Sequence, residues 1–266
     1  MPRDRLMIKR LSDILRNLYY SPPKPISFII TNYMISDLRR KRMMCLSIND
    51  AIKFAFLYRN ILSKTFESIP WKPEYAPFTI LPAQAPSEII ALLKMLKELE
   101  PRRILEIGTE RGGTLMLFTE VASPSAILIS IDLPSYSGIF GFSYPRWKEG
   151  VYRSFAKWNQ KIFLIRGDSH DSKTLKKIKS ILGNDMLDFL FIDGDHSYEG
   201  VRRDFEMYSP LVRRGGIIAF HDIVPGPHEK VGGVPRFWKE VKVKFKSLEI
   251  VRDWRQGGFG IGVLYV

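Results

Sequence analysis

From Ala85 onward, short apolar runs alternate with segments in which apolar residues recur at helical spacing. This alternation is typical of strands joined by crossover helices, and it predicts an α/β fold with a mostly parallel sheet covered by helices on both faces. A helix is expected over residues 87–99. Strands are expected over residues 104–107, 127–131, 162–165, 187–192 and 216–220.

Each of these strands ends at or near a polar residue, most often an acid. Parallel strands place their carboxyl ends at one edge of the sheet, and open α/β sheets bind ligands at that edge. We therefore expect an acid-lined ligand site there. After the fifth strand, apolar segments over residues 248–254 and 259–266 flank Gln256-Gly257-Gly258, a spacing that predicts a terminal hairpin.

The first 80 residues follow a different pattern, with helical spacing of apolar positions interrupted by prolines. We interpret residues 1–80 as a helical accessory or lid segment and residues 81–266 as the domain that holds the ligand site. The amphipathic first helix ends before Pro22, and we expect it to pack on the protein's own core. Docking on a membrane, or on a second copy of the chain in a homo-oligomer, stays open.

Composition narrows the classes of protein. The 266 residues are 45% hydrophobic, which is enough for a packed α/β domain with an extension. Cys45 is the only cysteine, so an intramolecular disulfide and a thiolate metal cluster are excluded. The charged start lacks the pattern of a secretory signal, and every apolar stretch is far shorter than the roughly 20 residues of a membrane span. We therefore expect a soluble, cytoplasmic protein.

The formal net charge of +13 raises the question of a polyanionic partner. Basic residues exceed acidic ones most clearly before residue 80, notably in Arg39-Arg40-Lys41-Arg42. The chain lacks the aromatic-interleaved basic strand typical of single-stranded RNA binding. Solvated basic faces are the expected explanation, and a phosphorylated or polyanionic substrate stays open.

The first predicted strand leads into Glu106-Ile107-Gly108-Thr109-Glu110-Arg111-Gly112-Gly113-Thr114, where glycines let the backbone approach a ligand closely. This loop has neither the Gly-Lys-Ser/Thr of a phosphate loop nor the G-x-G-x-x-G of a dinucleotide fold. Asp132 ends the second strand, where a carboxylate can accept both hydroxyls of a ribose. Asp168 follows the third strand, where it can bind an adenine amino group. An ordinary glycine turn and exposed strand-end acids are the simpler alternatives.

The most informative segment covers residues 188–200. A buried strand leads into Asp193, Asp195 and His196, and the next strand delivers His221 and Asp222 to the same edge. Carboxylates and imidazoles that converge in this way suit a divalent ion such as Mg²⁺ or Mn²⁺. The alternative is a hydrogen-bonded turn in which Asp195 caps a helix over residues 197–207.

These motifs resemble those of the class I S-adenosylmethionine (SAM)-dependent methyltransferases, and they are nearest to methyltransferase family 24, the cephalosporin-hydroxylase-like O-methyltransferase group. The similarity spans nearly all of residues 84–266, and residues 191–201 are its most specific part. It implies a Rossmann-like fold with a seven-stranded, mostly parallel sheet, an antiparallel terminal hairpin and an N-terminal helical extension. It also implies SAM as the cofactor and an O-methyltransferase of small molecules. The resemblance does not extend to the acceptor itself, for which a hydroxyl of a sugar, glycoconjugate or other small molecule is our hypothesis.

The resemblance implies roles for individual residues. The cofactor-binding residues would be Glu106, Gly108, Thr109, Gly112, Gly113, Thr114, Asp132, Leu133, Asp168, Ser169 and Asp193. Asp193 and Asp222 would hold a divalent metal. This chain has His221 and Ile223 where metal-dependent relatives have an acid or amide beside the second ligand, so the third ligand is His221, Asp195 or water. Asp195 or His196 would take the acceptor's proton as the catalytic residue.

Two further segments are predicted to border the site. Residues 134–147 form a glycine-rich aromatic loop, expected to be a lid or acceptor wall, although packing against the N-terminal helices would also account for it. Residues 228–238 could add a second rim.

Two other functions stay open from the sequence. A nucleic-acid methyltransferase would account for the charge, although the chain lacks an Asn-Pro-Pro-Tyr motif typical of base methylation. A non-enzymatic SAM-binding scaffold would use the basic N-terminal helices to dock on a membrane or partner. The set of acids and histidines around Asp193 favours an enzyme.

Overall fold

The computed structural model describes residues 31–32, 35–36, 80, 82–134 and 144–266. Most of the predicted accessory segment, and residues 135–143 of the predicted aromatic loop, lie outside the described residues. Within them, helices cover α1 (Pro86–Leu99), α2 (Gly113–Val121), α3 (Lys148–Arg153), α4 (Ser172–Leu182), α5 (Tyr198–Tyr208), α6 (His228–Val231) and α7 (Val234–Val241). The strands are β1 (Arg103–Ile107), β2 (Ile127–Asp132), β3 (Lys161–Arg166), β4 (Leu187–Ile192), β5 (Val212–His221), β6 (Lys246–Ile250) and β7 (Ile261–Tyr265).

The seven strands form one sheet in the order β3-β2-β1-β4-β5-β7-β6. Strands β1 to β5 pair in parallel, and β7 lies antiparallel between β5 and β6. The predicted fold, with its antiparallel terminal hairpin, is therefore confirmed. The bounds of the hairpin strands differ from the expected segments: β6 covers Lys246–Ile250 and β7 covers Ile261–Tyr265. Between them, the Asp253 carboxylate accepts the Arg255 N–H in a side-chain turn.

Two apolar layers hold the sheet between helices. All six residues of β4 are buried, which is expected for a central parallel strand covered on both faces. On one face, Phe118 of α2 packs edge-on against Phe189 and Phe191. On the other face, Phe220 of β5 packs against Phe237 and Trp238 of α7. This double cover fixes the strand ends, and the loops that leave them, at one edge of the sheet.

The described part of the N-terminal segment contacts the domain beside α3. The hydroxyl of Thr31 donates to the carbonyl of Trp147 at 3.2 Å, and Ile35 packs against the core cluster on the α1 and α2 face. Among the described residues, no helix is both long and apolar enough to cross a membrane.

Candidate active site

A cleft of about 920 Å³ lies at the carboxyl edge of the sheet, where the loops after β1, β2, β3, β4 and β5 meet the loop between β6 and β7. Predicted site residues at the carboxyl ends of all five parallel strands, β1 to β5, line this cleft. They are Gly108, Thr109, Thr114, Asp132, Leu133, Asp168, Ser169, Asp193, Asp195, His196, His221 and Asp222. The structure thus brings most of the predicted site together. Glu106, Gly112 and Gly113 do not line the cleft.

The glycine loop forms the floor of the cleft beside β4. Gly108 has φ +98°, and a Cβ at this position would overlap the main-chain carbonyl of Asp193. Gly112 has φ +74°, and a Cβ there would press on the ring of Tyr152, whose hydroxyl donates to the Glu110 carbonyl at 2.9 Å. Both glycines are therefore required by close packing and by left-handed backbone conformation, and Gly112 acts from behind the cleft wall.

Asp132 stands at the end of β2 with both carboxylate oxygens engaged by main-chain donors. Its Oδ2 accepts the N–H of Glu110 at 2.9 Å, and its Oδ1 accepts the N–H of Leu133 at 2.8 Å. Burial raises the pKa of Asp132 to about 7, against the opposing effect of these two hydrogen bonds. Each oxygen keeps a lone pair for a ligand donor in the cleft.

Glu106 does not contribute to the cleft surface, because β1 directs its side chain into the protein interior. The side chain is fully buried, and its Oε2 accepts the Ser130 hydroxyl at 2.5 Å. Ser130 in turn contacts the Thr109 hydroxyl at 2.6 Å. Burial raises the pKa of Glu106 to about 8, with a smaller opposing effect from Ser130. Its predicted contact with a cofactor is replaced here by support of the loop from below.

Asp193, at the end of β4, is the most connected acid of the site. The Gln84 amide donates to its Oδ2 at 2.7 Å, and Gln84 accepts the Thr114 hydroxyl at 2.7 Å. Its Oδ1 lies 3.1 Å from His221 Nδ1 and 3.4 Å from His196 Nε2. Burial alone would raise the pKa of Asp193, but the two imidazoles outweigh it and hold that pKa at about 2.

The histidines are correspondingly basic. Burial lowers the pKa of His196, but the hydrogen bond and charge of Asp193 and the charge of Asp222 outweigh it and bring the pKa to about 9. Burial also lowers the pKa of His221, but the charges of the same two carboxylates outweigh it and bring this pKa to about 9. Without an ion, the acids of this cluster are thus balanced by two imidazolium groups.

The side chains able to hold a metal ion are Asp193, His196 and Asp222, whose ligand atoms all lie within 4.8 Å of one another. His221, which the sequence offered as third ligand alongside Asp195 and water, is buried, with Nδ1 toward Asp193 and a buried Nε2 without a hydrogen bond among the described residues. His196 reaches the cluster because the Lys230 carbonyl fixes its Nδ1 at 2.5 Å.

Asp195 forms a hydrogen-bonded turn, as in the alternative from the sequence, but the N-cap of α5 is Ser197, whose hydroxyl accepts the Gly200 N–H at 3.0 Å. Asp195 is exposed, and its Oδ1 accepts the Ser197 N–H at 2.8 Å ahead of α5. A Cβ at Gly200 would overlap the Asp195 carboxyl group, so the acid packs on the start of that helix. This placement makes His196 the better candidate for a proton acceptor, since its Nε2 faces the cluster.

The loop after β3 is tied to α5. Asp168 accepts the His170 N–H at 2.8 Å, and the Tyr208 hydroxyl donates to the Ser169 carbonyl at 2.5 Å. His170 Nε2 lies 3.2 Å from the buried Asp204. Asp168 itself is exposed at the rim, where it can contact a ligand.

Several lining residues were missed by the sequence reasoning, namely Gln84, Glu110, Arg111, His170 and residues 257–259. Only the last group had a usable signal. Two adjacent glycines after Gln256 indicate close backbone approach as well as a turn. Residues 228–238 contribute Lys230 to the rim, whereas Trp238 is buried.

Residues 105–223 match the model of methyltransferase family 24, which is described as "Methyltransferase domain". Residues 105–223, somewhat less than half of the chain, are thus similar to a methyltransferase domain. The match agrees with the family predicted from the motifs.

Two curated relatives are uncharacterized proteins. One, from Sinorhizobium fredii, is 25% identical over 177 residues, which are 64% of this chain and 18% of the relative. The other, from Acanthamoeba polyphaga mimivirus, is 34% identical over 121 residues, which are 44% of this chain and 50% of the relative. The chain therefore spans half or less of the length of these relatives.

Solved structures share the fold of the methyltransferase domain. An O-methyltransferase from Bacillus cereus, solved in complex with SAH, is 19% identical with TM-score 0.52, covering 81% of this chain and 100% of its own. A putative O-methyltransferase from Klebsiella pneumoniae is 20% identical with a TM-score of 0.50, and the alignment covers 80% of this chain and 98% of that protein's chain.

Proposed function

We propose that this chain transfers the methyl group of SAM to a hydroxyl oxygen of a small-molecule acceptor, such as a sugar or glycoconjugate, with assistance from a divalent metal ion. The observation behind the proposal is one cleft with two halves. Asp132 and the glycine loop stand at the ends of β2 and β1, and Asp193, His196 and Asp222 stand at the ends of the neighbouring strands β4 and β5. A cleft of about 920 Å³ is large enough for a cofactor and part of an acceptor.

The first half fits SAM. Asp132 offers two oriented oxygens, each with a free lone pair, to the ribose hydroxyls. Gly108 keeps the floor free of side chains, and Asp168 and Ser169 lie at the next strand end toward the adenine. When bound, SAM supplies an electrophilic methyl group. The chain's contribution is to hold both partners in line for attack, which accounts for much of the rate acceleration in such reactions.

The second half fits a hard divalent cation. Asp193 and Asp222 would hold it through carboxylate oxygens, the donors that Mg²⁺ and Mn²⁺ prefer. Such an ion lowers the pKa of a bound hydroxyl. His196 would take the acceptor's proton at Nε2 once the charge of the ion has lowered the pKa of its imidazole, because the Lys230 carbonyl accepts a hydrogen bond at Nδ1 and Nε2 faces the cluster.

Calorimetric titration tests the cofactor half. We expect micromolar SAM binding by the wild type and by the control Asp185→Asn. Asp185 is exposed, lies away from the cleft, and forms an ion pair with Arg103 at an N–O distance of 2.5 Å. Asp132→Ala should lose SAM binding at least tenfold, since it removes charge-assisted hydrogen bonds. Wild-type protein that binds no SAM would refute the proposal.

The metal half is tested with Mn²⁺ and with transfer from labelled SAM to a panel of nucleotide sugars and glycans. Asp222→Asn should weaken Mn²⁺ binding. His196→Gln should keep Mn²⁺ binding within about threefold while slowing transfer by roughly 10²–10⁴-fold, as expected for a lost general base. Loss of Mn²⁺ binding in His196→Gln would instead make His196 a metal ligand.

A further inference from the structure

The β6–β7 loop, residues 251–260, forms the rim of the cleft next to Asp222 and has an unusual backbone. Four consecutive residues have left-handed φ angles, Gly257 at +71°, Gly258 at +116°, Phe259 at +60° and Gly260 at +82°. Asp222 itself is at φ +60°. Phe259 and Asp222 carry side chains, and such residues persist in this conformation only where neighbouring contacts fix them.

One of those contacts joins the loop to the candidate metal site. The N–H of Phe259 donates to Asp222 Oδ1 at 2.7 Å. The backbone N–H of Val224 donates to the Phe259 carbonyl at 3.0 Å, so the two chain segments run side by side. With Oδ1 held in this way, Asp222 Oδ2 lies toward His221 at 3.4 Å and His196 at 3.5 Å. The direction of this carboxylate therefore depends on where the loop sits.

The loop is held in turn by Glu88, in the first turn of α1. Glu88 is 1% exposed, and its carboxylate accepts three hydrogen bonds from the loop. Its Oε1 accepts the Arg252 N–H at 3.1 Å and the Gln256 side-chain amide at 2.8 Å. Its Oε2 accepts the N–H of the buried Gly260 at 2.9 Å. One carboxylate thus fixes the loop near its start, its middle and its end.

We propose that Glu88 is a positioning residue for the metal site: by anchoring the β6–β7 loop, it sets the Phe259 N–H that orients the Asp222 carboxylate. This inference rests on the proposed function, because it assigns Asp222 to the metal. Glu88 lies outside the cleft lining, so it acts through the loop and contacts neither metal nor acceptor.

The test compares Glu88→Gln with Glu98→Gln, an exposed glutamate on the same helix. The side-chain amide introduced by Glu88→Gln would point an N–H₂ group at main-chain N–H donors, so at least one bond to the loop is lost. We expect hydrogen exchange of the amides in residues 252–260 to speed up at least tenfold and Mn²⁺ affinity to fall about tenfold. SAM affinity should change less than twofold, because Asp132 lies at the other end of the cleft. Glu98→Gln should match the wild type in all three measurements.

Gln256→Ala is a milder variant that removes one of the three bonds and keeps the carboxylate. It should shift loop exchange and Mn²⁺ affinity in the same direction by a smaller factor, and it decides the matter if Glu88→Gln does not fold. Faster loop exchange with unchanged Mn²⁺ affinity would overturn the inference, as would equal losses of Mn²⁺ and SAM affinity, which indicate general unfolding. A wild type that binds SAM but no Mn²⁺ removes the metal from the proposed function, and the positioning role falls with it.

Discussion

Replacing Glu106 by Gln should change how the stability of the protein depends on pH. The carboxyl group is fully buried beneath the glycine loop, and burial raises its pKa from 4.5 to about 8. In the unfolded chain the group ionises near its ordinary pKa. Between these two values the folded state binds one more proton than the unfolded state, so this contribution to stability is complete below about pH 4.5 and is lost as pH rises through about 8.

The size of the effect follows from the shift. At about 1.4 kcal/mol per pKa unit, a rise from 4.5 to about 8 corresponds to roughly 5 kcal/mol between the two pH limits, an upper bound because the site can relax when charged. The Gln side chain can still accept the Ser130 hydroxyl and has no proton to lose. The stability of the wild type should therefore fall relative to Glu106→Gln between pH 5 and pH 9.

The assay is urea unfolding of both proteins at pH 5, 7 and 9. Groups with shifted pKa values that do not interact with Glu106, such as His170, are common to both proteins, so their effect cancels in the difference. A difference in unfolding free energy that stays constant to within about 0.5 kcal/mol over this range would refute the reasoning, because it would mean that Glu106 has the same pKa in both states.

Three further predictions concern the cleft. Gly108→Ala should lower the unfolding free energy by at least about 2 kcal/mol in urea titrations, because the new Cβ overlaps the Asp193 carbonyl at φ +98°; wild-type stability would contradict the close packing. Tyr152→Phe removes the 2.9 Å hydrogen bond to the Glu110 carbonyl and should weaken SAM binding about threefold to tenfold by calorimetry, with an unchanged affinity as the contrary result. Removal of divalent ions with EDTA should slow methyl transfer and leave SAM affinity within about twofold; undiminished transfer would exclude the metal.

The sheet could be predicted from the sequence because buried parallel strands are short, nearly continuous apolar runs with polar ends. Each predicted strand up to β5 lies within an observed strand, and the observed ones are longer where flanking polar residues pair, as Lys161 and Arg166 do at the two ends of β3. The predicted convergence of Asp132, Asp193 and Asp222 on one cleft follows from the same rule, since each ends or follows a strand at the carboxyl edge.

The direction of the Glu106 side chain follows from strand periodicity, which the glycine motif alone does not include. Side chains alternate between the faces of a strand, so Glu106 shares a face with Ile104, which lies in the core cluster on the α1 and α2 side. Leu105 and Ile107 lie in the cluster on the opposite face. A side chain in that register enters the interior below the loop. The position within the strand therefore favours support of Ser130 and Thr109 over contact with a ligand.

The different surroundings of His196 and His221 could not be predicted, because both histidines lie at strand ends on the same edge of the sheet. What separates them is the carbonyl of Lys230, which belongs to α6 and reaches His196 across 34 positions of sequence. The bonds of Glu88 to the β6–β7 loop span 164 to 172 positions. Contacts of this kind depend on how the helices pack against the sheet, so a local pattern of residues does not predict them.

Asp193 joins the two halves of the cleft, and this limits what its own substitution can show. Its Oδ2 is bound by Gln84, which also holds Thr114 at the start of α2, while its Oδ1 faces His196 and His221. Loss of this carboxylate would disturb the cofactor end and the metal end together, because each oxygen serves one of them. Variants at Asp132 and Asp222 separate the two functions, since each of those acids is anchored by main-chain N–H groups within its own half. In the proposed function, this shared acid would bring an ion held by Asp193 and Asp222 next to the cofactor's end of the cleft, where the hydroxyl under attack would have to lie.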